Sequence, residues 1–368
     1  MAKPERPGDG IPLAVKDLFD TAGLTTTYGS IIYADHVPEQ TAEAVRRLED
    51  AGYSNVGKTN LHEFAYGITS VNPHYGTVPN PAFPGRIAGG SSGGSAAALA
   101  AGLADAALGT DSGGSIRIPA ACCGVTGFKP SFGLVSLDGC FPLAPSYDHV
   151  GPMARSVGEC LKMLRVLADG FEPVTVESLE EVEVGTAWLD RADPLVRARV
   201  HEAAELFPRR RELDLPLVEE IAPVFMREVA DVHRELFAEF EDSYGDNVRT
   251  KIQRCLEVTD AQYERALRAR TEYRERSEIA LDGLDLVLSP TLAFVAPPLP
   301  ADDLELREDM IRLTYPFNAL GWPALALPLG PAEHGLPASL QIAGPLGADS
   351  LVLAVGALVE SLVRGTLD

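Results

Sequence analysis

The sequence has few basic residues for its size. It carries 31 Lys and Arg against 53 Asp and Glu, a formal net charge of −22. Surfaces that bind nucleic acid or anionic membranes need clustered Lys and Arg. The strongly basic run Arg209–Arg211 lies among Glu205, Glu212 and Asp214, which is typical of a solvated face. The composition therefore predicts that the chain binds neither nucleic acid nor a membrane.

Cysteine and long apolar runs are also scarce. The five cysteines follow no metal-ligand spacing and no disulfide framework; they are Cys122, Cys123, Cys140, Cys160 and Cys255. Reduced core cysteines are typical of cytoplasmic proteins. The sequence has no N-terminal export signal and no apolar stretch of about 18 residues. We therefore predict a globular cytoplasmic protein.

The chain does contain alternating patterns of buried strands and amphipathic helices. The predicted strands are Ile11–Val15, Tyr53–Val56, Ala104–Leu108, Leu284–Leu288, Ala324–Leu329 and Ala338–Ala343. The predicted helices are 41–51 with Thr41 as cap, 95–102, 156–170, 194–206, 216–242, 260–281 and 350–363. Interleaved strands and helices indicate an α/β fold with a large, mostly parallel or mixed sheet covered on both faces by helices.

We see no clear linker, so the domain prediction is a single domain over residues 1–368. Residues 1–10 are polar and rich in Pro and Gly, which predicts a loose tail. In residues 171–283, Glu-rich segments alternate with long amphipathic helices, and this part is predicted to be a largely helical insert within the domain.

One stretch, Gly89–Gly133, combines glycine-serine clusters with segments that favour burial. The clusters are Gly89–Ser95 and Ser112–Ser115. Glycine allows backbone N–H groups to converge on one point, because no Cβ restricts the dihedral angles. Flexible linkers are also rich in glycine and serine, but they lack helix formers such as Ala96–Ala101 and apolar segments such as Ile116–Pro119. We interpret the stretch as a functional site.

Two shorter patterns imitate other sites. Gly52–Thr59 matches the phosphate-loop pattern G-x-x-x-x-G-K-T, but a helix precedes it and its strand falls inside the loop, which disfavours nucleotide binding. Gly90–Gly94 matches the G-x-S-x-G nucleophile elbow, which needs a strong preceding strand and a histidine. Phe83–Ala88 is a poor strand, broken by Pro84 and Gly85. An elbow with its central serine as nucleophile stays a weaker alternative.

Together with further segments, the Gly89–Gly133 stretch resembles the signature of the amidase signature family of serine hydrolases. The further segments are Gly10–Asp17, Gly57–Phe64, Phe141–Pro145, Asp148–Pro152, Ser289–Thr291, Pro316–Asn318, Gly335–Pro337 and Leu340–Gln341. The resemblance is weakest over residues 171–280. Only 15 residues precede Lys16, where family members usually carry several dozen.

The resemblance implies Ser115 as nucleophile, Ser91 as bridging serine after a cis peptide bond, and Lys16 as base. A serine hydroxyl is a poor nucleophile until a base accepts its proton. Lysine can do this when it is neutral, and burial lowers the pKa of an amine. The apolar run Ile11–Val15 is expected to carry Lys16 into the interior.

The remaining predicted site residues fall into three groups. The backbone N–H groups of Ser112, Gly113, Gly114 and Ser115 suit an oxyanion hole, where one donor contributes roughly 3–4 kcal/mol. Supporting roles are assigned to Ser92, Thr110, Asp111 and Arg117, the last two as a buried pair. The predicted substrate contacts are Tyr66, Gly89, Gly90, Phe141, Phe317 and Trp322.

We predict an amidohydrolase that cleaves a carboxylic amide to acid plus ammonia or amine through an acyl-enzyme on Ser115. The expected partner is a small-molecule amide, neutral aryl or alkyl amides being favoured; a homodimer is allowed, and no metal or organic cofactor is expected. Two alternatives stay open: the A subunit of glutamyl-tRNA amidotransferase, which generates ammonia from glutamine for a partner, and a member that cleaves esters or carbamates. A non-catalytic homologue is disfavoured, because all three catalytic positions are intact.

Overall fold

Strands and helices alternate along most of the chain. The computed structural model describes residues 9–364. The strands are β1 (Ile11–Lys16), β2 (Tyr53–Thr59), β3 (Val71–Asn72), β4 (Gly76–Thr77), β5 (Ala106–Thr110), β6 (Thr126–Lys129), β7 (Val150–Ala154), β8 (Val184–Thr186), β9 (Arg210–Glu212), β10 (Leu286–Pro290), β11 (Ala324–Pro331) and β12 (Pro337–Ala343). The α-helices are α1 (Glu43–Asp50), α2 (Gly93–Ala100), α3 (Arg117–Cys123), α4 (Val157–Leu167), α5 (Pro194–Ala204), α6 (Ala222–Phe240), α7 (Asp246–Leu256), α8 (Asp260–Ala280), α9 (Asp303–Ile311), α10 (Tyr315–Leu320) and α11 (Asp349–Arg364).

Ten strands of the described chain form one mixed sheet, in the order β2-β1-β5-β7-β6-β11-β12-β10-β8-β9. Neighbouring strands are parallel at the two ends, in β2-β1-β5 and in β10-β8-β9. They are antiparallel in the middle, from β5 to β10. Parallel neighbours need crossover connections, which α1, α2 and α5 provide. Strands β3 and β4 form a separate ribbon.

Helices cover both faces of this sheet. Successive residues of a strand point to opposite faces. Leu13 and Val15 of β1 pack in a core with α1, α4, α5 and α11, whereas Ala14 packs with α2 and α3. In β10, Leu288 belongs to the first of these cores and Val287 packs with α6, α7 and α8 on the other face. The α/β class predicted from the sequence, with a large mixed sheet covered on both faces, is therefore confirmed.

Helix ends show where local signals decided the structure. Ser156 caps α4, since its side chain accepts a hydrogen bond from the Glu159 N–H at 3.3 Å. The predicted cap of α1 is wrong. Thr41 instead accepts a hydrogen bond from the Ala22 N–H at 3.1 Å, and the helix begins at Glu43 without a side-chain cap.

The predicted subdivisions of the chain stay predictions. Of the predicted tail, residues 1–8 lie outside the described residues. Residues 171–283 contain α5 to α8 but also β8 and β9, which extend the main sheet beyond β10. Within residues 9–364, no helix is both long and apolar enough to cross a membrane.

Candidate active site

Lys16 lies at the end of β1, between the parallel strands β2 and β5. Its side chain is fully buried. The Nζ atom donates hydrogen bonds to three hydroxyl oxygens, Ser91 Oγ at 2.7 Å, Ser92 Oγ at 2.9 Å and Thr110 Oγ1 at 2.7 Å. Within the described residues, Lys16 forms no ion pair. The structure thus surrounds the amine with neutral oxygen atoms.

Burial changes the protonation of this amine. It lowers the pKa of Lys16 to about 7, because a medium of low dielectric constant disfavours the charged form. The carboxylates of Asp111 and Asp148 act in the opposite direction but do not restore the ordinary value. A substantial fraction of Lys16 is therefore neutral near pH 7, as a general base requires.

Ser91 and Ser92 lie in the turn that leads into α2, and both are buried. The Gly90–Ser91 peptide bond is cis, as the family resemblance implies. In the first turn of α2, a Cβ on Gly94 would collide with the backbone of Asn60. Glycine at this position therefore lets the helix start approach the sheet closely enough to place both hydroxyls on Lys16.

Ser115 lies between β5 and α3, at the end of the second glycine-serine cluster. Its carbonyl oxygen accepts a hydrogen bond from the Ser92 N–H at 3.1 Å, which joins the two clusters. The Ser115 residue is 7% exposed, whereas Ser91 is fully buried. Among the hydrogen bonds of the described residues, none joins the Ser91 and Ser115 hydroxyls. The structure thus brings the three predicted catalytic residues into one region, with the Lys16–Ser91 contact formed.

The backbone N–H groups of the loop before Ser115 differ in their partners. The Gly114 N–H donates to Asp111 Oδ1 at 2.8 Å. In the part of the chain that the structure describes, the N–H groups of Ser112, Gly113 and Ser115 have no hydrogen-bond partner. Three of the four predicted oxyanion donors are therefore free there, and the Gly114 N–H holds the loop in place.

Asp111 and Arg117 form a fully buried ion pair beneath this loop. Arg117 donates from Nη2 to Oδ1 at 2.9 Å and from Nε to Oδ2 at 3.0 Å. Burial by itself would raise the pKa of Asp111, but the Arg117 charge and the hydrogen bonds to the carboxylate outweigh burial and lower that pKa. The pair predicted from the sequence is present, and it supports the loop from below.

Arg117 is held in turn by residues far along the chain. Its Nη1 donates to the Thr314 carbonyl oxygen and to Gln341 Oε1, both at 2.8 Å, and its Nη2 donates to Asn318 Oδ1 at 2.6 Å. Asn318 also donates to Asp111 Oδ1 at 2.8 Å. Neither Asn318 nor Gln341 was among the predicted site residues, although both lie in segments that carry the family resemblance.

Asp148 anchors the other side of the loop and was also missed. It accepts a hydrogen bond from Ser112 Oγ at 2.6 Å and from the N–H groups of Leu143 and Ala144 at 2.9 and 3.1 Å. Burial raises the pKa of Asp148. This carboxylate connects the segment 141–145 to the start of the predicted oxyanion loop.

The pattern that imitates a phosphate loop lies in strand β2. Lys58, its lysine, forms a buried ion pair with Asp17 at 3.1 Å. It also donates to the Phe19 carbonyl oxygen at 2.5 Å and to Thr26 Oγ1 at 2.8 Å. The lysine therefore holds neighbouring segments of the protein together within the sheet.

The nucleophile-elbow alternative lacks its histidine in the described residues. Ser92 Oγ accepts from Lys16 and donates to the Thr110 carbonyl oxygen at 3.2 Å. His149, the nearest candidate in sequence after the loop, contacts the Tyr147 carbonyl oxygen through Nδ1 at 2.6 Å. Ser92 is thus a partner of the lysine.

The described residues contain no group of three or more His, Cys, Asp or Glu arranged to hold a metal ion. All five cysteines are free thiols, and Cys140 is the partly exposed one. The cofactor-free site and the cytoplasmic location expected from the sequence remain predictions.

Two cavities adjoin the catalytic region. The larger has a volume of about 580 Å³ and is lined in part by Tyr315, next to Thr314, which donates to the Gly113 carbonyl oxygen at 2.7 Å. Five basic and three acidic side chains line it: Arg191, Lys251, Arg254, Arg307, Arg312, Glu219, Glu220 and Glu308. The smaller has a volume of about 210 Å³ and is bordered by Thr110 and Ser112.

The predicted substrate contacts separate into two groups. Tyr66 lines the larger cavity and Phe141 the smaller, and Gly89–Gly90 lie immediately before Ser91. Phe317 and Trp322 pack in the core with 0% and 2% exposure and line neither cavity. Aromatic side chains bury large areas in cores, and the contact of these two residues with substrate stays a prediction.

Comparison with known proteins identifies the family. The family model Amidase matches residues 2–353. The A subunit of glutamyl-tRNA(Gln) amidotransferase from Natronomonas pharaonis is 34% identical, covering 96% of each chain; that from Haloarcula marismortui is 35% identical, covering 94% of each. The crystal structure of an amidase is 39% identical, with a TM-score of 0.87 over 96% of this chain and 84% of that chain.

The chain belongs to the Amidase family, as the resemblance of its motifs implied. It is accordingly a hydrolase that cleaves amide bonds.

The expectation about partners is wrong. The sequence predicted a small-molecule amide as partner, no nucleic acid, and allowed a homodimer. The relatives are instead subunits of an enzyme named for glutamyl-tRNA. The net charge of −22 describes the surface of this chain alone and carries no information on what other chains of a complex bind.

Proposed function

We propose that this chain is the amide-hydrolysing subunit of an amidotransferase and that it converts the side-chain amide of glutamine to glutamate and ammonia. The observation that carries the catalytic part is the 2.7 Å contact between the buried Lys16 amine and Ser91 Oγ. The identity to two amidotransferase subunits of this type over nearly the whole chain supports the assembly and the substrate. Ester or carbamate cleavage uses the same acyl-enzyme chemistry, but no specific observation favours it.

Ser115 is the nucleophile in this proposal. Its Oγ attacks the amide carbonyl carbon while its proton passes to Ser91, which gives its own proton to neutral Lys16. A neutral amine donates two hydrogen bonds and accepts one. Ser91 is therefore the hydroxyl that donates to Nζ in the reactive state, and Ser92 and Thr110 accept the two N–H bonds. These two acceptors aim the lone pair of the amine at Ser91.

The oxyanion is stabilised by free backbone donors. The N–H groups of Ser112, Gly113 and Ser115 are available to the carbonyl oxygen as it becomes negative, and each contributes roughly 3–4 kcal/mol in comparable sites. The bond from Gly114 to Asp111 fixes the loop before substrate arrives. Such preorganisation is what makes the donors effective in the transition state.

The second half of the reaction reverses the proton path. Ser91 donates its proton to the leaving nitrogen, the C–N bond breaks, and the acyl group remains on Ser115 Oγ. A water molecule then attacks this ester and passes its proton to the relay. The Ser115 O–C bond breaks as Ser91 returns this proton to Ser115 Oγ, and the carboxylic acid is released.

The larger cavity supports a substrate that carries a carboxylate. Its lining has an excess of basic side chains. Arg307 lies 5.1 Å from the centre of the Tyr66 ring, and an arginine stays charged at neutral pH. Burial lowers the pKa of Lys251 to about 8, against the opposing effect of its partner Asp303. Lys251 is ion-paired with Asp303, so Arg307 is the side chain that we assign to the substrate carboxylate.

Covalent labelling tests the nucleophile. Phenylmethylsulfonyl fluoride should give one adduct by intact mass, mapped by peptide analysis to Ser115, and the purified chain should release ammonia from L-glutamine. Ser115→Ala should lose the adduct and reduce turnover by about 10⁴-fold or more.

Two different results would contradict the assigned nucleophile and the assigned substrate separately. An adduct on Ser92 would contradict the assigned nucleophile and support the elbow alternative. An adduct on Ser115 combined with hydrolysis of butyramide, a neutral amide of similar length, in preference to glutamine would contradict the proposed substrate while retaining the mechanism.

A further inference from the structure

A buried ion pair that the reaction described above does not use lies beside the larger cavity. It joins Lys251 of α7 to Asp303, the first residue of α9, and both residues are 4% exposed. Replacing a buried ion pair by apolar side chains of similar volume is often neutral or stabilising. The pair is therefore weak evidence for a role in stability, and its hydrogen bonds lead instead to the catalytic region.

The two charged side chains hold the backbone of the segment that begins at Tyr66. Asp303 Oδ1 accepts hydrogen bonds from the Ile68 N–H at 2.6 Å and from the Thr69 N–H at 3.1 Å. Lys251 donates to Asp303 Oδ2 and to the Tyr66 carbonyl oxygen at 2.8 Å. The ion pair thus fixes three main-chain groups that lie close together in the sequence.

The same segment supports Ser91, the proton relay of the proposed reaction. It ends at Ser70, whose Oγ donates a hydrogen bond to the Ser91 carbonyl oxygen at 3.3 Å. A Cβ on Gly90 would lie 3.0 Å from the Ile68 carbonyl carbon and 2.9 Å from Ser70 Oγ. The segment therefore packs directly against the turn that carries Ser91, and a displacement of one displaces the other.

The conformation of Ser70 depends on its surroundings. Its φ is +56°, in the left-handed region that residues other than glycine rarely adopt. Such a conformation persists only where the surrounding structure holds it. On one side, Asp303 bonds to the two residues that precede Ser70. On the other side, the Val78 N–H donates to the Ser70 carbonyl oxygen at 3.1 Å.

We propose that Asp303 is a positioning residue for Ser91. Its carboxylate fixes the backbone before Ser70, and Ser70 in turn holds the main chain of Ser91, so that the Ser91 hydroxyl stays within reach of Lys16 and of the nucleophile. Asp303 lines neither the larger nor the smaller cavity, so it acts on the reaction through this segment. The inference rests on the proposed function, which assigns the proton relay to Ser91.

Small displacements of Ser91 are expected to slow the reaction. Lys16 Nζ lies 2.7 Å from Ser91 Oγ, and direct proton transfer needs a distance of about 2.6–3.2 Å between the heavy atoms. A misplacement of about 1 Å can cost about 10²-fold in rate. Loss of the acceptor at Asp303 should therefore lower kcat and leave KM nearly unchanged, because the relay acts after the substrate has bound.

The test compares two double variants that both remove the ion pair. Lys251→Met/Asp303→Asn keeps an acceptor oxygen for the Ile68 and Thr69 N–H groups, whereas Lys251→Met/Asp303→Ala removes it. Neither variant leaves one charge of the pair buried without the other, which would itself destabilise the protein. For L-glutamine, kcat should be about 10- to 100-fold lower in the alanine variant than in the asparagine variant, with KM equal within about threefold.

Labelling of Ser115 by phenylmethylsulfonyl fluoride gives a second readout, which needs no amide substrate. Its rate constant should differ between the two variants by a similar factor, because it depends on the same relay. Urea unfolding gives the folded fraction to which both rates are normalised. Equal rates per folded molecule, or a difference in KM alone, would overturn the positioning role of Asp303. A wild type without an adduct on Ser115 would instead contradict the proposed function, and the relay role of Ser91 with it.

Ser70→Ala covers the case in which the alanine double variant does not fold. It removes the hydroxyl that donates to the Ser91 carbonyl oxygen and keeps the ion pair. We expect kcat and the labelling rate to fall by about two- to tenfold, with KM unchanged. Added to the two double variants, it should slow the asparagine variant more than the alanine variant, because residues that act through one another are not additive. Wild-type rates in Ser70→Ala would overturn the inference.

Discussion

Lys16 and Lys58 lie on neighbouring parallel strands, where Lys16 pairs with Thr59 and Val15 with Lys58. Both lysines are buried, with 0% and 4% exposure. Three neutral hydroxyls surround the amine of Lys16. The amine of Lys58 instead lies 3.1 Å from the carboxylate of Asp17. Burial lowers the pKa of both amines, and the Asp17 charge opposes this change only at Lys58.

The comparison shows that burial alone does not turn a lysine into a base. A carboxylate in contact stabilises the ammonium form, so Lys58 is suited to hold β2 against the segment 17–26. Hydroxyl partners stabilise the ammonium form less and can also donate to a neutral amine. The residue type and depth are the same, and the charge of the neighbours separates the two roles.

The largest expected effect is on activity when Lys16 is replaced by Met. Methionine keeps most of the side-chain volume and removes the base, so turnover should fall by about 10³–10⁴-fold. Steady-state assays of ammonia release measure this loss. Circular dichroism and unfolding should show a folded protein of at least wild-type stability. A variant that unfolds would assign Lys16 a structural role like that of Lys58.

The second effect is on stability when Lys58 is replaced by Met. The variant leaves the buried Asp17 carboxylate without its cation, which costs about 3–5 kcal/mol in comparable buried pairs. Urea unfolding measures this free energy. The activity per folded molecule should remain close to that of wild type. An activity loss as large as that of Lys16→Met, in a folded protein, would break the distinction between the two lysines.

The smallest expected effects are the changes of turnover and of stability with pH. Turnover should rise through pH 7 and fall about tenfold per pH unit below it, since Lys16 must be neutral. Its folded pKa is about 7 and its unfolded value is near 10.4. Between these values the unfolded chain binds the extra proton, so wild-type stability should rise with pH, by up to about 1.4 kcal/mol per unit.

Lys16→Met lacks this contribution and serves as the control. The difference in unfolding free energy between the variant and wild type should therefore shrink from pH 7 to pH 10. A constant difference over this window would contradict a lowered pKa for Lys16.

The fold class followed from local patterns, because β1, β10 and β12 are short apolar runs bounded by polar or turn residues. The ends of helices and strands were predicted less well from the sequence. Ser156 caps α4 through a contact three residues away, which sequence shows directly. Thr41 contacts Ala22, which is 19 residues away, and this tertiary contact overrides its capping preference. The edge strand β9 is exposed and polar, so it carries no burial pattern.

The candidate site likewise contains residues that could be predicted from the sequence and residues that could not. Lys16, Ser91 and Ser115 were found because each lies in a recognisable motif, and the burial of Lys16 followed from the apolar run before it. The excess of basic side chains in the larger cavity was not found. Lys251 in α7 and Arg307 in α9 meet there only through tertiary packing, and each alone has the pattern of a solvated helix face.

The hydrogen bonds of Arg117 to distant parts of the chain have a consequence for biosynthesis. Its guanidinium bonds to Asn318 and Gln341, which lie 201 and 224 residues further along the chain. During translation Lys16 and Ser115 are made well before both of these acceptors. The loop that ends at Ser115 therefore gains its full support only after Gln341 has been made, so a ribosome-bound fragment that stops before Asn318 lacks both of these acceptors.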